Sequence, residues 1–503
     1  MKRGANAVAI SLSVLALGAV SAPTAAASRT QWSIFEDSPH LVGTDPGTRE
    51  ATLEELQGLG VDTIRITLRW NAVAPGSESA RKPAGFNPAD PAAYPGFGPY
   101  DDLVRRATAK GIRVLVSVAG HAPRWARKGK SRNSAWLPDL QQFRLFAAAT
   151  ARRYSGTFGG LPKVGFWTIW NEPNQGGWLA PQSVCRGKKG HRRCAPYAPH
   201  YYRALVRAGY PAIKAADRGS KVFIGELAPS GSDFASSSRA LRPLKFLRAF
   251  ACRDVHYRRI RGGPCKGFKP ARGDAFSHHP YAAYARFLSP RSGSRSRDDA
   301  SMGDTRRLLR TVDKLRRLGG IKLVDRRHIY YTEFGLQTNP PDPFQPASLA
   351  VQARFINEAE AYTYRLSRIA SYSQYLLYDE PPLPGPKQVR WGGFQMGLRF
   401  FDGRLKPSYE AYRLPLVVKR SGHRSVIWGR VRPGSGPRFV QLQRLAGGHF
   451  VNAGARIKTD SLGYFKARRG LGTYRFDGYV SQGGSGASGA SLKFVGRSRS
   501  AAR

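Results

Sequence analysis

The sequence predicts an α/β protein, a (β/α)8 barrel followed by a small C-terminal β-sandwich, and three observations predict it. Short β-branched or aromatic runs alternate with amphipathic helical stretches eight times between about residues 31 and 413. The first run leads into Glu36-Asp37-Ser38-Pro39 and not into the Gly-rich turn that usually opens a doubly wound sheet. After Leu414 the helical periodicity stops, and short strand-like runs punctuated by Gly and Ser take over.

The predicted barrel strands are residues 32–35, 63–68, 113–118, 164–170, 221–225, 275–278, 328–332 and 371–377. Most of their starts lie about 45 to 55 residues apart, enough for one helix and one loop per unit. Apolar residues recur at helical spacing in 140–154, 201–216, 305–318 and 347–366, so strand follows helix follows strand and the pairing should be parallel. Beyond the barrel, the runs 425–431, 438–444 and 474–480 predict the sandwich, which ends in a Gly/Ser-rich stretch at 483–489 and a basic tail. The expected division is 1–27 leader, 28–414 barrel, and 415–503 sandwich and tail.

The leader is read from Lys2 and Arg3, an apolar run over 7–20, and the small-residue sequence Pro23-Thr24-Ala25-Ala26-Ala27. That run is shorter than the roughly 20 residues a bilayer-spanning helix needs, so secretion without membrane insertion is expected. In an exported chain the four cysteines read as two disulfides. Proximity favours Cys185 with Cys194 and Cys252 with Cys265, each closing a short basic loop, and no CxxC spacing supports a zinc site.

A formal charge of +48 is the oddest bulk property. The surplus is spread along the chain, whereas a nucleic-acid reader gathers charge on one face or in a module, so no specific nucleic acid is expected. Hydrophobic residues at 41% and aromatics at 11% place the chain among globular proteins, and a monomer is expected.

The chemistry lies at two strand ends. The fourth run ends in Asn171-Glu172-Pro173-Asn174, and the seventh ends in Glu333-Phe334-Gly335. Residues at the C-terminal ends of barrel strands converge on one mouth, so the two carboxylates should face each other across it. Cleaving a glycosidic bond needs a carboxylic acid to protonate the leaving oxygen and a second carboxylate to attack or steady the anomeric centre.

On these residues the chain resembles the clan-A glycoside hydrolases, in particular families 5 and 39, over about 380 residues of barrel. The resemblance implies a retaining β-glycosidase with Glu172 as acid/base and Glu333 as nucleophile. It also implies Asn171 as a donor to the sugar 2-hydroxyl. Arg65, in Thr63-Ile64-Arg65-Ile66, and His279-Pro280-Tyr281 match the clan pattern around the nucleophile, where an arginine keeps the carboxylate ionised and a tyrosine hydroxyl holds it. Trp70, Trp125, Trp178 and Trp391 follow predicted strands and offer sugar-stacking platforms; since tryptophan also buries large area in a core, roughly two of the four are expected to touch substrate. Where the clan commonly has tryptophan at the end of the eighth strand, this chain has Tyr378 as the substitute. The substrate is expected to be a β-linked glycan, acidic if the basic insert 185–194 takes part, with no metal and no organic cofactor. The competing function is a secreted glycan- or surface-binding protein without catalysis.

Overall fold

The computed structural model describes residues 31–502 apart from 130, 189–190, 192, 283–288, 433–436 and 483–490. The expected leader and the Gly/Ser-rich stretch therefore lie outside the described residues. Eight parallel strands form one sheet: β1 (Trp32–Glu36), β2 (Thr63–Arg69), β3 (Arg113–Ala119), β4 (Phe166–Ile169), β5 (Lys221–Leu227), β6 (Ala275–His278), β7 (Ile329–Tyr331) and β8 (Ser371–Tyr375). Their order is β7-β6-β5-β4-β3-β2-β1-β8. The seam between β7 and β8 closes through Ile329 N to Arg368 O at 2.9 Å and Ala370 N to Ile329 O at 3.0 Å. Two hydroxyls complete it, Ser371 Oγ to Tyr331 O at 2.8 Å and Ser373 Oγ to Thr332 O at 2.9 Å. The barrel predicted from alternation alone is thus present, with every strand within a few residues of its expected place.

Helices α1 (Pro46–Gly58), α2 (Gly98–Ala109), α3 (Leu140–Arg153), α4 (Ala198–Ala216), α5 (Pro243–Phe250), α6 (Thr305–Arg317), α7 (Leu349–Tyr364) and α8 (Pro407–Arg413) follow the successive strands. Period-two alternation then sorts the strand residues. On β2, Ile64, Ile66 and Leu68 join the apolar core that the helices cover, which leaves Thr63, Arg65 and Thr67 on the opposite, inward face. The lower interior is filled by Ile34, Leu115, Phe223, Ala275 and Tyr330, with the Trp32 ring edge-on to Phe166 at 4.8 Å. It is a plug of side chains and not a pore, so polar residues one layer higher form the floor of the open end.

Beyond the barrel, β9 (Leu416–Ser421), β10 (Arg424–Arg430) and β14 (Tyr464–Gly470) make one antiparallel sheet. A second antiparallel sheet holds β11 (Arg438–Ala446), β12 (His449–Asn452), β13 (Ile457–Lys458), β15 (Tyr474–Gln482) and β16 (Ser491–Arg497). Ile427 and Phe465 of the first sheet share one buried core with Val440, Leu442 and Phe476 of the second, so the expected sandwich is present. One expectation is corrected here. Half of the residues read as a basic tail form β16, because Val480 and Tyr479 of β15 offer a free edge that Lys493 and Phe494 pair with. Both disulfides join the cysteines that proximity favoured, Cys185 with Cys194 and Cys252 with Cys265, which removes the zinc alternative.

Candidate active site

Arg65 stands inside the open end of the barrel, fully buried, as the hub of the site. Its Nη1 donates to Glu333 Oε1 at 2.6 Å and also to Glu36. Its Nη2 donates to Asn171 Oδ1 at 2.6 Å and to Glu226 Oε2 at 2.6 Å. One guanidinium, with five donors in a fixed fork, therefore orients groups from the ends of β1, β4, β5 and β7. Because Asn171 spends its oxygen on Arg65, its amide nitrogen remains available to donate to a ligand.

The loop after β4 is held in several places. Asn174 Nδ2 donates to Ala228 O at 3.1 Å and to Leu241 O at 3.0 Å, and its Oδ1 accepts from Ala228 N at 2.9 Å. Trp170 Nε1 donates to Trp178 O at 3.0 Å. Gly176 lies so close to Ser238 that a Cβ there would sit 1.9 Å from the Ser238 carbonyl oxygen. Within this frame Glu172 adopts φ 35°, a left-handed conformation uncommon outside glycine, and such strain is characteristic of functional sites.

The two sequence-predicted carboxylates meet at His279. Its Nδ1 lies 3.0 Å from Glu172 Oε1 and 3.3 Å from Glu333 Oε2, and the three ligand atoms lie within 4.8 Å of one another. Tyr281 donates its hydroxyl to Glu333 Oε2 at 2.9 Å. Asn171, Glu172, Tyr281 and Glu333 line a cleft of about 900 Å³, with Glu36, Trp178, Tyr375 and Glu380. The set Glu172, His279 and Glu333 has the composition of a cation site. However, burial is outweighed by the Glu333 and Glu226 charges, which raise His279 to about 10, so a protonated imidazole already occupies the cation's place between the carboxylates.

Burial pushes the Glu333 carboxyl up to about 7, against the pull of His279 and Arg65. Arg65 and His279 both pull this carboxyl toward the ionised form, in the direction expected from the sequence, and burial exceeds them. Counting charges gives the reason. Glu36, Glu172, Glu226 and Glu333 face only two cations, Arg65 and His279, so the cluster would carry two uncompensated negative charges if all four ionised.

Of the aromatic platforms, only Trp178 is among the cleft-lining residues. Trp70 is fully buried, stacked on Phe146 at 5.1 Å, and belongs to the core. Trp125 packs against that core and donates to Pro75 O at 3.1 Å. Trp391 terminates the short helix Lys387–Arg390, away from the cleft lining. Tyr378 turns to His40, ring centroids 4.3 Å apart, and to Arg399. The tyrosine that reaches the cleft is Tyr375, the last residue of β8. Strand eight is shorter than the predicted run 371–377, Leu376 takes φ 70°, and Tyr378 beyond it packs against the core and does not line the cleft.

Sequence reasoning missed Glu36 and Glu226. Each sits at the end of a barrel strand, the position that singled out Glu172 and Glu333, and so the same signal applied to β1 and β5 would have found both. Glu226 is aimed inward by a bulge: the register against β6 slips between Gly225 and Leu227, and Glu226 takes φ 48°. Only glycine fits at 225, since a Cβ there would lie 2.4 Å from the Ser277 carbonyl oxygen.

No protein-family model matches the sequence, and no curated protein matches it. Among solved structures the chain is similar to a family 39 glycoside hydrolase from the gut symbiont Bacteroides cellulosilyticus WH2, at 14% identity and TM-score 0.48. That match covers 90% of this chain and 80% of that one. It is similar to a glucosidase from Croceicoccus marinus at 12% identity and TM-score 0.48, covering 89% and 94%. An exo-beta-1,4-mannosidase from Opitutaceae bacterium strain TAV5 matches at 16% identity and TM-score 0.42, covering 76% of this chain and 58% of that one. Likeness at this level decides nothing about activity, which has to come from the chemistry of the site itself.

Proposed function

We propose that the protein is a retaining β-glycosidase, with Glu333 as nucleophile and Glu172 as acid/base. The supporting observation is the approach of the two strand-end carboxylates to one imidazole nitrogen at the floor of a cleft, within 4.8 Å. Retention uses carboxyl groups about 5 to 5.5 Å apart, whereas inversion needs roughly 6.5 to 9.5 Å to admit water between them. An approach of their oxygens within 4.8 Å supports the narrower, retaining arrangement.

In the first step a Glu333 oxygen bonds the anomeric carbon as the glycosidic C–O bond breaks, and the Glu172 proton goes to the leaving oxygen. In the second, Glu172 takes a proton from water, the water oxygen bonds the anomeric carbon, and Glu333 departs as carboxylate. Asn171, with its oxygen fixed by Arg65, points its amide donors at the sugar 2-hydroxyl. Tyr281 steadies Glu333 and Trp178 offers an apolar face to the glycan.

The charge of the cleft argues for a neutral glycan. Its lining carries the carboxylates Glu36, Glu172, Glu333 and Glu380 against the single guanidinium of Arg69. The basic hairpin Ser183–Arg186 with Arg193–Pro196, which motivated an acidic substrate, contributes no residue to that lining. Export, inferred from the leader, accords with two disulfides, and among the described residues no helix is long and apolar enough to cross a membrane.

The test is a panel of β-linked polysaccharides with product anomers followed by NMR. A β-configured first product is expected. An α-configured first product refutes retention, and no hydrolysis by folded protein refutes the whole reading. Trp178→Ala is expected to raise KM about tenfold with kcat little changed, the signature of lost uniform binding. A fall in kcat alone would place Trp178 elsewhere in the mechanism.

A further inference from the structure

Glu226 has no part in the two chemical steps, yet it is fully buried beneath them. We propose that Glu226 is a positioning residue that fixes a proton on His279 Nε2, keeping the imidazole charged and leaving Nδ1 as the ring's only exchangeable site, between Glu172 and Glu333.

The donors around Glu226 fix its charge state. Glu226 Oε2 accepts Arg65 Nε at 3.1 Å and Nη2 at 2.6 Å, and its Oε1 accepts the Thr332 hydroxyl at 2.7 Å. An ionised carboxylate accepts only, and each of these neighbours donates, so none of its hydrogen-bond partners favours the protonated form. His279 Nε2 lies 3.3 Å from the same oxygen and must donate to it. The opposite nitrogen, Nδ1, faces oxygens of both Glu172 and Glu333. While those two are ionised, Nδ1 must donate as well, and the ring is an imidazolium.

The surrounding charges agree. His279 is enclosed by Glu172 after β4, Glu226 at the end of β5 and Glu333 after β7. Arg65 of β2 stands behind Glu226 and Glu333, Glu36 of β1 beyond it, and neighbouring His278 places its Nε2 2.6 Å from Ala300 O. Against the cost of burial, Arg65 and His279 hold the Glu226 carboxyl well below the usual range. Burial drives His278 down to about 4, so it brings no competing positive charge at neutral pH. The consequence for the site is a cation fixed between the two reacting carboxylates, whose loss would change the pH at which both work.

This inference rests on the glycosidase reading only for its kinetic consequence, and its primary test needs no substrate. The imidazole nitrogens of 15N-labelled full-length protein are titrated by NMR, with His279 among the 10 histidines assigned by its absence in His279→Gln. In the native chain His279 is expected to stay charged to beyond pH 9, with Nε2 protonated throughout. In Glu226→Gln its midpoint is expected to fall by at least about one unit, a tenfold weaker hold on the proton. Glu226→Asp, which restores the charge, should recover most of that fall.

Native His279 titrating at or below about pH 7 overturns the proposal, even if no variant folds. A folded Glu226→Gln whose His279 midpoint stays within about 0.3 unit of native overturns it as well. So does an equal fall in Glu226→Asp, which would mark lost packing and not lost charge. On a glycan that the native enzyme cleaves, the alkaline limb of kcat/KM should move down with the His279 midpoint. Full activity in Glu333→Gln would sink the glycosidase reading while leaving the imidazole titration to decide this one.

Discussion

Glu333→Gln is expected to lower kcat/KM by on the order of 10⁴-fold or more, because a neutral amide cannot form the glycosyl-enzyme ester and the route through it closes. The fold should survive the change. Arg65 keeps Glu36, Glu226 and Asn171 as partners, and removing one carboxylate relieves the surplus negative charge of the cluster. Glu172→Gln should behave differently. It removes the proton donor, so a natural glycan is cleaved about 10² to 10⁴ times more slowly, while a glycoside with a strongly acidic leaving group needs no proton and should glycosylate Glu333 at near-native rate. Equal losses on both kinds of substrate would show that the two roles are wrongly assigned. The native pH profile supplies a third reading. Catalysis needs Glu333 ionised, and its carboxyl is pushed up to about 7, so kcat/KM should fall as pH drops below about 7. An acidic limb near the ordinary glutamate value would mean that Arg65 and His279 outweigh burial after all.

Much of this site is legible in the amino-acid sequence, for a physical reason. A barrel delivers its chemistry at strand ends, so a strand read from β-branched alternation also gives the location of its functional residue. Glu172 and Glu333 are read in that way, while Arg65, Asn171, His279 and Tyr281 enter through the resemblance to the clan pattern. What fails is orientation beyond the strand. Trp70 follows β2 immediately but opens a helical turn whose first residue packs into the core against Phe146, and sequence position cannot distinguish that from a platform. Tyr378 and Tyr375 lie three residues apart, and the left-handed residue Leu376 between them breaks the alternation that would have related their faces. Glu226 stands at the end of β5, where the same signal reaches it, but its inward aim rests on the bulge between Gly225 and Leu227, which alternation does not predict. The surplus of positive charge does not extend to the cleft, whose lining carries Glu36, Glu172, Glu333 and Glu380 against Arg69.

Glu360→Leu is expected to cost about 3 to 5 kcal/mol of stability, without touching the cleft. Glu360 lies on α7, buried where the barrel meets the first C-terminal sheet. Its Oε1 accepts Arg430 Nη1 at 3.1 Å, Arg432 Nη2 at 2.6 Å and the Tyr464 hydroxyl at 3.0 Å, and its Oε2 accepts Arg432 Nη1 at 3.1 Å. Around this cluster Tyr364 of α7 packs with Trp428 and Tyr464 from the sheet, so the charged groups have no water to turn to. The pair of arginines exceeds the single carboxylate by one charge, and taking that carboxylate away leaves two buried guanidinium groups with backbone acceptors at Leu462 and Tyr412 but no counter-charge. Chemical denaturation at fixed pH measures the loss, and a change below about 1 kcal/mol would mean that the arginines reach solvent or another acceptor. The triple replacement of Glu360, Arg430 and Arg432 by methionine separates the two contributions to this interface. If apolar packing holds barrel and sheet together and the ionic cluster mainly fixes their register, the triple variant should regain most of the stability that Glu360→Leu loses. Hydrolysis by the folded fraction should stay at the native level in both, since no member of the cluster lines the cleft.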